Sequence, residues 1–295
     1  MFDISVIICT KNRINKLQKA LDSLRTQYFK NFEVIIVNDG GYTVSGLVKE
    51  YKDLNIKLIE REISKGAASS RNLAMDNASG VYYAFLDDDD YYLPDHLNNA
   101  IEFFNQKQTN FYYCSTYISK IRDYDINKIK NESIIHSYEY NQELFQMLCF
   151  IPMSSVIIKS TNLRFDDNLK VCEDWEFWLR LSLNGYTPKL DERISVVYFR
   201  VPSEFSFSNN ALVEVDNYMF FYNCWKKIIK RNYLLYNNSF KIEKIVAFHE
   251  HCITKLKEGN RLPHFYFENF TKLFIENSDM ELQSFIKKIE ILLED

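Results

Sequence analysis

Four consecutive aspartates, Asp87, Asp88, Asp89 and Asp90, directly follow an apolar run and carry the clearest chemical signal in this sequence. The run, residues 81–86, has the aromatic and β-branched content of a buried strand, so the carboxylates emerge at its carboxyl end. Open α/β sheets bind ligands at that edge. Clustered oxygens suit Mg²⁺ or Mn²⁺, which also take substrate phosphates as ligands. The stretch therefore predicts half of a metal and diphosphate site, and a solvated acidic turn is the alternative.

Further polar side chains follow the neighbouring predicted strands. They are Thr10 and Arg13 after the first strand, Asp39 after the second, and Arg71 in the helix before the acidic strand. Asp39 could accept a hydrogen bond from a base N–H or a sugar hydroxyl, and Arg71 could pair with phosphate or stack along a base. Each has an ordinary alternative, such as a turn or a surface ion pair. Because all of them lie at one predicted edge, they predict a nucleotide site.

A second acidic pair, Glu173 and Asp174, begins an aromatic, amphipathic helix. The helix dipole stabilises carboxylates at this position, which is the structural explanation. The functional explanation is that one of them acts as a general base in a cleft from which Trp175 and Trp178 exclude water. On these residues alone, both explanations stay open.

The elements that must position these residues alternate between strand and helix. Apolar runs predict the strands Ile4–Cys9, Phe32–Val37, Ile56–Glu60, Val81–Leu86, Phe111–Ile118 and Ser154–Lys159. The helical spacing between them predicts an α/β fold in which helices flank a mostly parallel, Rossmann-like sheet. Residues 120–140 are polar and predict a long surface loop, either a binding lid or a mobile segment. Beyond about residue 210 the pattern turns helical.

Composition excludes several classes of protein. The 295 residues are 46% hydrophobic and carry a net charge of −4, so the chain can bury a full core and has no general basic field for nucleic acid. It has neither the Gly-rich dinucleotide fingerprint nor the P-loop motif. The six cysteines lack metal-binding spacing and predict reduced thiols in a cytoplasmic protein. No signal peptide or membrane span is predicted.

Five sequence blocks, in this order, resemble the inverting, GT-A-fold glycosyltransferases of family 2. They are residues 5–13, 34–40, 65–72, 85–94 and 173–180. The resemblance covers roughly residues 4–200. It implies a GT-A domain over 1–210, with a nucleotide-sugar half up to about 95 and an acceptor half from about 96, followed by a helical region over 211–295.

The resemblance also implies an activity. A sugar would pass, with inversion and with Mn²⁺ or Mg²⁺, from a nucleotide diphosphate donor, usually UDP-linked, to a hydroxyl of a saccharide, a lipid-linked glycan or a protein. Bacterial surface polysaccharide assembly is a typical setting. The alternative is a catalytically silent protein that binds nucleotide sugars or glycans on the same fold. A nucleotidyltransferase is disfavoured, because it would need a Gly-rich basic loop after the first strand.

The donor-binding residues follow from the same resemblance. Thr10 and Asp39 would line the base pocket, with Arg71 close by and Arg13 in the same donor-binding set. Asp90 would support the turn that carries the acids. The family often has Asn-x-Gly before the Arg-Asn block, where this chain has Ser64-Lys65-Gly66, so a donor contact from that Asn is missing.

The reacting centre is implied in the same way. Asp87 and Asp89 would be the outer acids of a DxD motif, Asp87 toward the ribose or the metal and Asp89 on the metal. Asp88, at the variable position, joins the donor-binding set. Asp174 would be the catalytic base, with Glu173 as the second candidate. Arg200, after the last strand of the resemblance, would reach a phosphate or form a surface salt bridge.

The C-terminal third lies outside the resemblance. Residues 225–236 combine clustered cations with aromatic side chains, which fits either a peripheral contact with the inner face of the cell membrane or a helix packed by its apolar face with its lysines at the surface. The terminal helices are a candidate homodimer interface. His249 and His251 point to different helix faces, so a shared metal is not predicted.

Overall fold

The computed structural model describes residues 2–202, 204, 213–232, 239–263 and 265–292. The chain forms two compact units. The first runs to Tyr140 and resumes from Ile151 to Phe199, and the second contains Asn141–Phe150 and the described residues from Arg200 onward. The predicted boundary between residues 210 and 211 lies outside the described residues, and the division of the catalytic domain near residue 95 stays a prediction.

The first unit is built on one mixed sheet. Its strands are β1 Ile4–Thr10, β2 Phe32–Asn38, β3 Ile56–Glu60, β4 Tyr82–Phe85, β5 Tyr91–Tyr92, β6 Phe111–Ser119, β7 Ser133–His136, β8 Val156–Lys159 and β9 Pro188–Phe199. They lie in the order β3-β2-β1-β4-β8-β6-β9-β5, with β7 beside β6. The pairings make β1 to β4, β6 and β9 point one way, so the sheet is mostly parallel, as predicted.

Helices flank the sheet and also form the second unit. Those of the first unit are α1 Ile14–Arg25, α2 Ser45–Val48, α3 Ala67–Asp76, α4 His96–Lys107, α5 Ile126–Asn131 and α7 Glu173–Leu183. Those of the second unit are α6 Gln142–Met147, α8 Val215–Asn232, α9 Ser239–Lys257, α10 Tyr266–Glu276 and α11 Leu282–Leu292. The described helices include none that is both long enough and apolar enough to cross a membrane.

The register of the parallel strands places their polar ends side by side. Thr10, the last residue of β1, is level with Asn38 at the end of β2, and Ile7 is level with Phe85 at the end of β4. All seven residues of β2 are buried, which is typical of a parallel strand covered by helices on both faces. β1 and β2 end at the same level, whereas β4 ends level with Ile7, so the acidic residues that follow β4 come level with the end of β1 at the same edge of the sheet.

The predicted long surface loop over residues 120–140 is wrong in part. A short helix, α5, begins after Asp125, whose carboxylate accepts a hydrogen bond from the backbone N–H of Asn127, and β7 then pairs antiparallel with β6. The pairing runs from Ser133 opposite Ser119 to His136 opposite Thr116. β7 has only four residues, of which Ile134 and Ile135 are apolar, so it is stabilised by its neighbour more than by its own residues. Its sequence therefore lacked the apolar run on which the strand predictions relied.

The second unit contains the helix with the clustered cations. Trp225, Ile228 and Ile229 of α8 are buried, and the indole N–H of Trp225 donates to the carbonyl of Met147 at 2.9 Å. The apolar face of α8 is thus packed inside the unit while Lys227 and its cationic neighbours are exposed. This arrangement supports the packed-helix alternative for the described part of residues 225–236; residues 233–236 lie outside the described part.

Arg200 forms a salt bridge within the second unit. Its guanidinium pairs with Glu268 of α10, and the two side chains are 11% and 7% exposed. Of the two alternatives for Arg200, the structure supports the salt bridge, but the pair is largely buried and does not lie on the surface.

Candidate active site

The acidic residues form a tight turn directly after β4. The backbone N–H of Asp90 donates to the carbonyl of Asp87 at 3.0 Å, which closes the turn. The buried carboxylate of Asp90 accepts from the Ser154 hydroxyl at 2.5 Å and from the backbone N–H of Phe199 at 3.2 Å. Burial, with Asp89 and Asp87 nearby, raises the pKa of Asp90 well above its usual range. Asp90 therefore supports the turn from inside the unit, as predicted.

Asp88 joins the acidic turn to the end of β1. Its buried carboxylate accepts from the Thr10 hydroxyl at 2.6 Å and from the Arg13 guanidinium at 3.1 Å. Burial and the neighbouring Asp89 raise the pKa of Asp88 to about 6, against the effect of Arg13. The structure thus brings Thr10, Arg13 and Asp88 together, while their contacts with a donor stay predictions.

Asp89 is held by two cations and lies nearer the surface. One oxygen, Oδ2, lies 3.3 Å from Arg13 Nη1 and 3.3 Å from Lys16 Nζ. Its backbone carbonyl accepts from the Arg122 guanidinium at 2.7 Å. Lys16 and Arg122 are partners of Asp89 that no sequence motif predicted. Lys16 lies one helical turn after Arg13, on the helix that follows β1, and this spacing could have predicted that the two cations lie on the same face.

Arg71 joins the acidic turn to the start of α7. Its Nη2 lies 2.9 Å from Asp87 Oδ1 and its Nη1 lies 2.7 Å from Glu173 Oε1, and the Arg71 side chain is 9% exposed. Burial opposes the charge on Arg71, but the two carboxylates raise the pKa of the guanidinium. Burial also raises the pKa of Asp87, against the pull of Arg71. In the structure Arg71 binds two carboxylates of its own chain, and its predicted contact with phosphate or base stays a prediction.

Asp174 lies at the start of α7 beside the carboxylate that Arg71 binds. The preceding Cys172 adopts a left-handed conformation, with φ of 58°, and the backbone N–H of Trp175 donates to Asp174 Oδ1 at 2.7 Å. Burial and, after it, the charge of Glu173 raise the pKa of Asp174 to about 7. A carboxylate with this pKa suits proton removal near neutral pH. Trp175 and Trp178 are buried behind it.

Asp39 organises a separate hydrogen-bond network at the end of β2. It accepts from the Ser64 hydroxyl at 2.6 Å, the Gly66 N–H at 2.8 Å, the Lys65 N–H at 3.0 Å and the Arg61 guanidinium at 3.0 Å. Burial would raise the pKa of Asp39, but these hydrogen bonds outweigh it and lower the pKa to about 2. Asp39 therefore shapes the loop before α3, and its predicted role in the base pocket stays a prediction.

The acidic turn offers few carboxylates to a metal ion. The described residues include no group of three or more His, Cys, Asp or Glu side chains placed to hold one. Arg71 binds one oxygen of Asp87, and Arg13 and Lys16 bind one oxygen of Asp89. Mg²⁺ is commonly held by one or two carboxylates together with substrate phosphates. The donor set therefore fits an ion that arrives with a diphosphate, and the ligation of that ion by Asp87 and Asp89 stays a prediction.

Comparison with known proteins identifies the class. The family model described as Glycosyl transferase family 2 matches residues 5–163, more than half of the chain. The chain therefore belongs to glycosyl transferase family 2, which confirms the resemblance drawn from the sequence.

Two relatives show how far the similarity extends. An uncharacterised glycosyltransferase of Rickettsia conorii is 28% identical over 304 residues, which is 98% of this chain and 47% of the relative. This chain thus spans about half the length of that relative. Escherichia coli WfaP, named as a UDP-Glc:alpha-D-GlcNAc-diphosphoundecaprenol beta-1,3-glucosyltransferase, is 31% identical over 202 residues, which is 67% of this chain and 77% of WfaP.

Solved structures share the fold. Staphylococcus aureus TarS in complex with UDP-GlcNAc gives a TM-score of 0.57 at 20% identity and covers 74% of this chain and 64% of that chain. The mannosyltransferase PcManGT from Pyrobaculum calidifontis, in complex with GDP-Man and Mn²⁺, gives a TM-score of 0.55 at 14% identity and covers 98% of this chain and 86% of that chain. The likeness confirms the predicted GT-A fold.

We expect Arg71→Met to lower the free energy of unfolding by about 3 kcal/mol at pH 7.5, because it leaves two carboxylates without their buried partner. The loss should be smaller at pH 5, since without Arg71 the pKa of Asp87 rises further and the carboxylate takes up a proton. Urea unfolding followed by circular dichroism measures both values.

The matched control for this stability test is Arg25→Met. Arg25 also pairs with a carboxylate, Asp53, but both side chains are exposed, so its loss should be much smaller. Equal losses for the two variants, or a loss for Arg71→Met that does not change with pH, would contradict the role given to the buried guanidinium.

Proposed function

We propose that this chain transfers a sugar, with inversion, from a UDP-linked donor to a hydroxyl of a saccharide or a lipid-linked saccharide, with Mn²⁺ or Mg²⁺ as the cofactor. The observation that carries the proposal is the Arg71 bridge. One guanidinium binds both Asp87 of the acidic turn and Glu173 of α7. The proposed leaving-group side and the proposed nucleophile side of the site therefore lie next to each other in the first unit.

The donor side of the proposal rests on the residues after β1, β2 and β4. We assign Thr10, Arg13, Asp39 and the acidic turn to the nucleotide diphosphate because parallel strands of this kind bind ligands at their carboxyl ends. A UDP-linked donor is supported by the UDP-GlcNAc in the TarS structure and by the UDP-Glc in the name of WfaP. The GDP-Man and Mn²⁺ of PcManGT support a metal-assisted donor site on this fold.

The reaction side rests on Asp174. In the proposed step the Asp174 carboxylate takes the proton of the acceptor hydroxyl while the acceptor oxygen forms a bond to the anomeric carbon. The bond between that carbon and the diphosphate oxygen breaks, and its electron pair leaves with the nucleoside diphosphate. A single displacement of this kind inverts the anomeric centre. A divalent ion held by Asp87 and Asp89 supplies positive charge to the leaving diphosphate.

The acceptor is assigned only by class. WfaP is named for an acceptor in which a sugar is linked through diphosphate to undecaprenol, and its similarity covers two thirds of this chain. A lipid-linked saccharide is therefore the acceptor class we propose. A lipid-linked acceptor also agrees with the exposed cations of α8, which would favour an anionic membrane surface. A homodimer through the C-terminal helices stays a prediction.

The proposal is tested by UDP release over a panel of nucleotide sugars with Mn²⁺ and a saccharide or lipid-linked acceptor. Asp174→Asn keeps the shape of the base but cannot take a proton, so we expect turnover to fall by about 10²-fold or more while UDP binding is kept. Asp89→Ala should lose both turnover and Mn²⁺-dependent UDP binding. Undiminished transfer by Asp174→Asn would contradict the base assignment, and UDP binding without turnover over the whole panel would favour the silent binding protein.

The pH dependence of the same assay gives an independent check. A base with a pKa of about 7 is protonated below that pH, so we expect kcat/KM to fall about ten-fold per pH unit there. Glu173→Gln removes a negative neighbour that raises this pKa, so its profile should shift to lower pH. A wild-type profile that is flat between pH 5 and 7 would contradict the assignment.

The cations of α8 generate a prediction about membranes. Because the apolar face of α8 is packed, we expect binding to anionic vesicles to be electrostatic, weakened by salt, and lowered at least ten-fold by the double change Lys227→Glu and Lys230→Glu. The matched control reverses two exposed lysines of α11, Lys287→Glu and Lys288→Glu, and should keep most of the binding. Vesicle flotation measures this binding. If the wild type does not float with anionic vesicles, membrane contact is removed from the proposal.

A further inference from the structure

The carboxylate of Asp89 is paired with two cations at the position where the proposed function needs a metal ligand. Arg13 and Lys16 both approach the same oxygen, each at 3.3 Å. The side chain of Asp89 is 21% exposed, that of Lys16 is 22% exposed and that of Arg13 is 39% exposed. The cluster is thus open to solvent, unlike Asp88 and Asp90. Arg13 also pairs with the buried Asp88 at 3.1 Å, so Lys16 is the partner that can leave Asp89 without unpairing Asp88.

Two positive groups at Asp89 oppose the arrival of a divalent ion. An ion bound to this carboxylate would lie a few ångströms from the Lys16 ammonium and the Arg13 guanidinium, and like charges at that distance repel. The bare protein therefore carries its own counter-cations in place of the metal. A diphosphate brings the opposite charge and offers both cations a new partner.

We propose that Lys16 is exchanged between Asp89 and the diphosphate of the donor, so that the divalent ion binds tightly only when the diphosphate is present. The inference rests on the proposed function and adds to it a residue, Lys16, and a reason for coupled binding. In the bare protein the two cations neutralise Asp89. In the donor complex the Lys16 ammonium neutralises the diphosphate, Arg13 keeps its pair with Asp88, and Asp89 passes to the metal.

The local structure favours this exchange. Lys16 lies in the first turn of α1, where the helix dipole attracts negative charge and where the chain has no acidic residue. Its four-carbon side chain can move its ammonium by several ångströms without moving the backbone. Asp89 itself keeps its place, because its backbone carbonyl is bound by Arg122 and Asp90 is fixed by Ser154. The Lys16 ammonium can therefore move while the Asp89 carboxylate keeps its place.

The alternative is that Lys16 only stabilises the start of α1 through an ordinary ion pair. In that case its removal would lower stability slightly and would leave the coupling between metal and nucleotide unchanged. Coupling is measured as the ratio of the Mn²⁺ dissociation constants without and with UDP, and by linkage it equals the effect of Mn²⁺ on UDP binding.

The test measures Mn²⁺ binding by electron paramagnetic resonance, and UDP binding by calorimetry, on the full chain. For Lys16→Gln we expect Mn²⁺ alone to bind about five-fold more tightly, UDP alone about five-fold more weakly, and the coupling ratio to fall about five-fold, as for the loss of one partly exposed ion pair. The matched control is Lys19→Gln, which removes a lysine of the same helix that pairs with Asp22 and should leave all three values unchanged.

The outcomes separate the inference from the proposed function. If the wild type binds neither UDP nor Mn²⁺ with UDP, the proposed function itself fails. If the wild type shows coupled binding but Lys16→Gln keeps the same ratio, or binds Mn²⁺ alone more weakly, the exchange is overturned and the proposed function stands. Circular dichroism of each variant confirms that α1 and the sheet are intact.

Discussion

The candidate site depends on one buried guanidinium. Arg71 lies between Asp87 and Glu173 with a carboxylate on each side, and its side chain is almost fully removed from water. Burying a charge is costly unless it is paired and hydrogen-bonded, and here two separate elements of the chain meet both requirements. The same contacts fix the acidic turn after β4 relative to the start of α7. The spacing between Asp87 and Glu173, the neighbour of the proposed base, therefore follows from the width of one guanidinium group.

The four adjacent carboxylates of the turn can lie close together because each has partners of its own. The pairs are Asp87 with Arg71, Asp88 with Thr10 and Arg13, Asp89 with Arg13 and Lys16, and Asp90 with Ser154 and the backbone of Phe199. The partners differ in kind along the turn. Asp88 and Asp90 are buried and accept from hydroxyl or backbone donors, with Arg13 as a further partner of Asp88, while the partly exposed Asp89 pairs with Arg13 and Lys16. Asp89 can therefore change its partners without disturbing the buried acids, which is why the exchange of cations is assigned there.

Much of this could be predicted from the sequence, because the decisive signals were local. Apolar runs gave the strands whose ends meet at the site, and the acidic pair marked the start of α7. The parts that were missed depend on contacts between distant segments. The strand β7 exists because β6 offers it an edge, and the role of Lys16 depends on how α1 sits beside the turn after β4. Arg71 was singled out for contacts with the donor, whereas its two partners are carboxylates 16 and 102 residues away.

The most direct test of the account is a crystal structure of the chain with UDP and Mn²⁺, in which anomalous scattering locates the metal. The account predicts a manganese peak beside the carboxylate of Asp89 and bound to the diphosphate, with Asp174 facing the same cleft and the Arg71 bridge intact. A manganese and UDP site away from the acidic turn, or an Asp174 that faces away from the diphosphate, would contradict it.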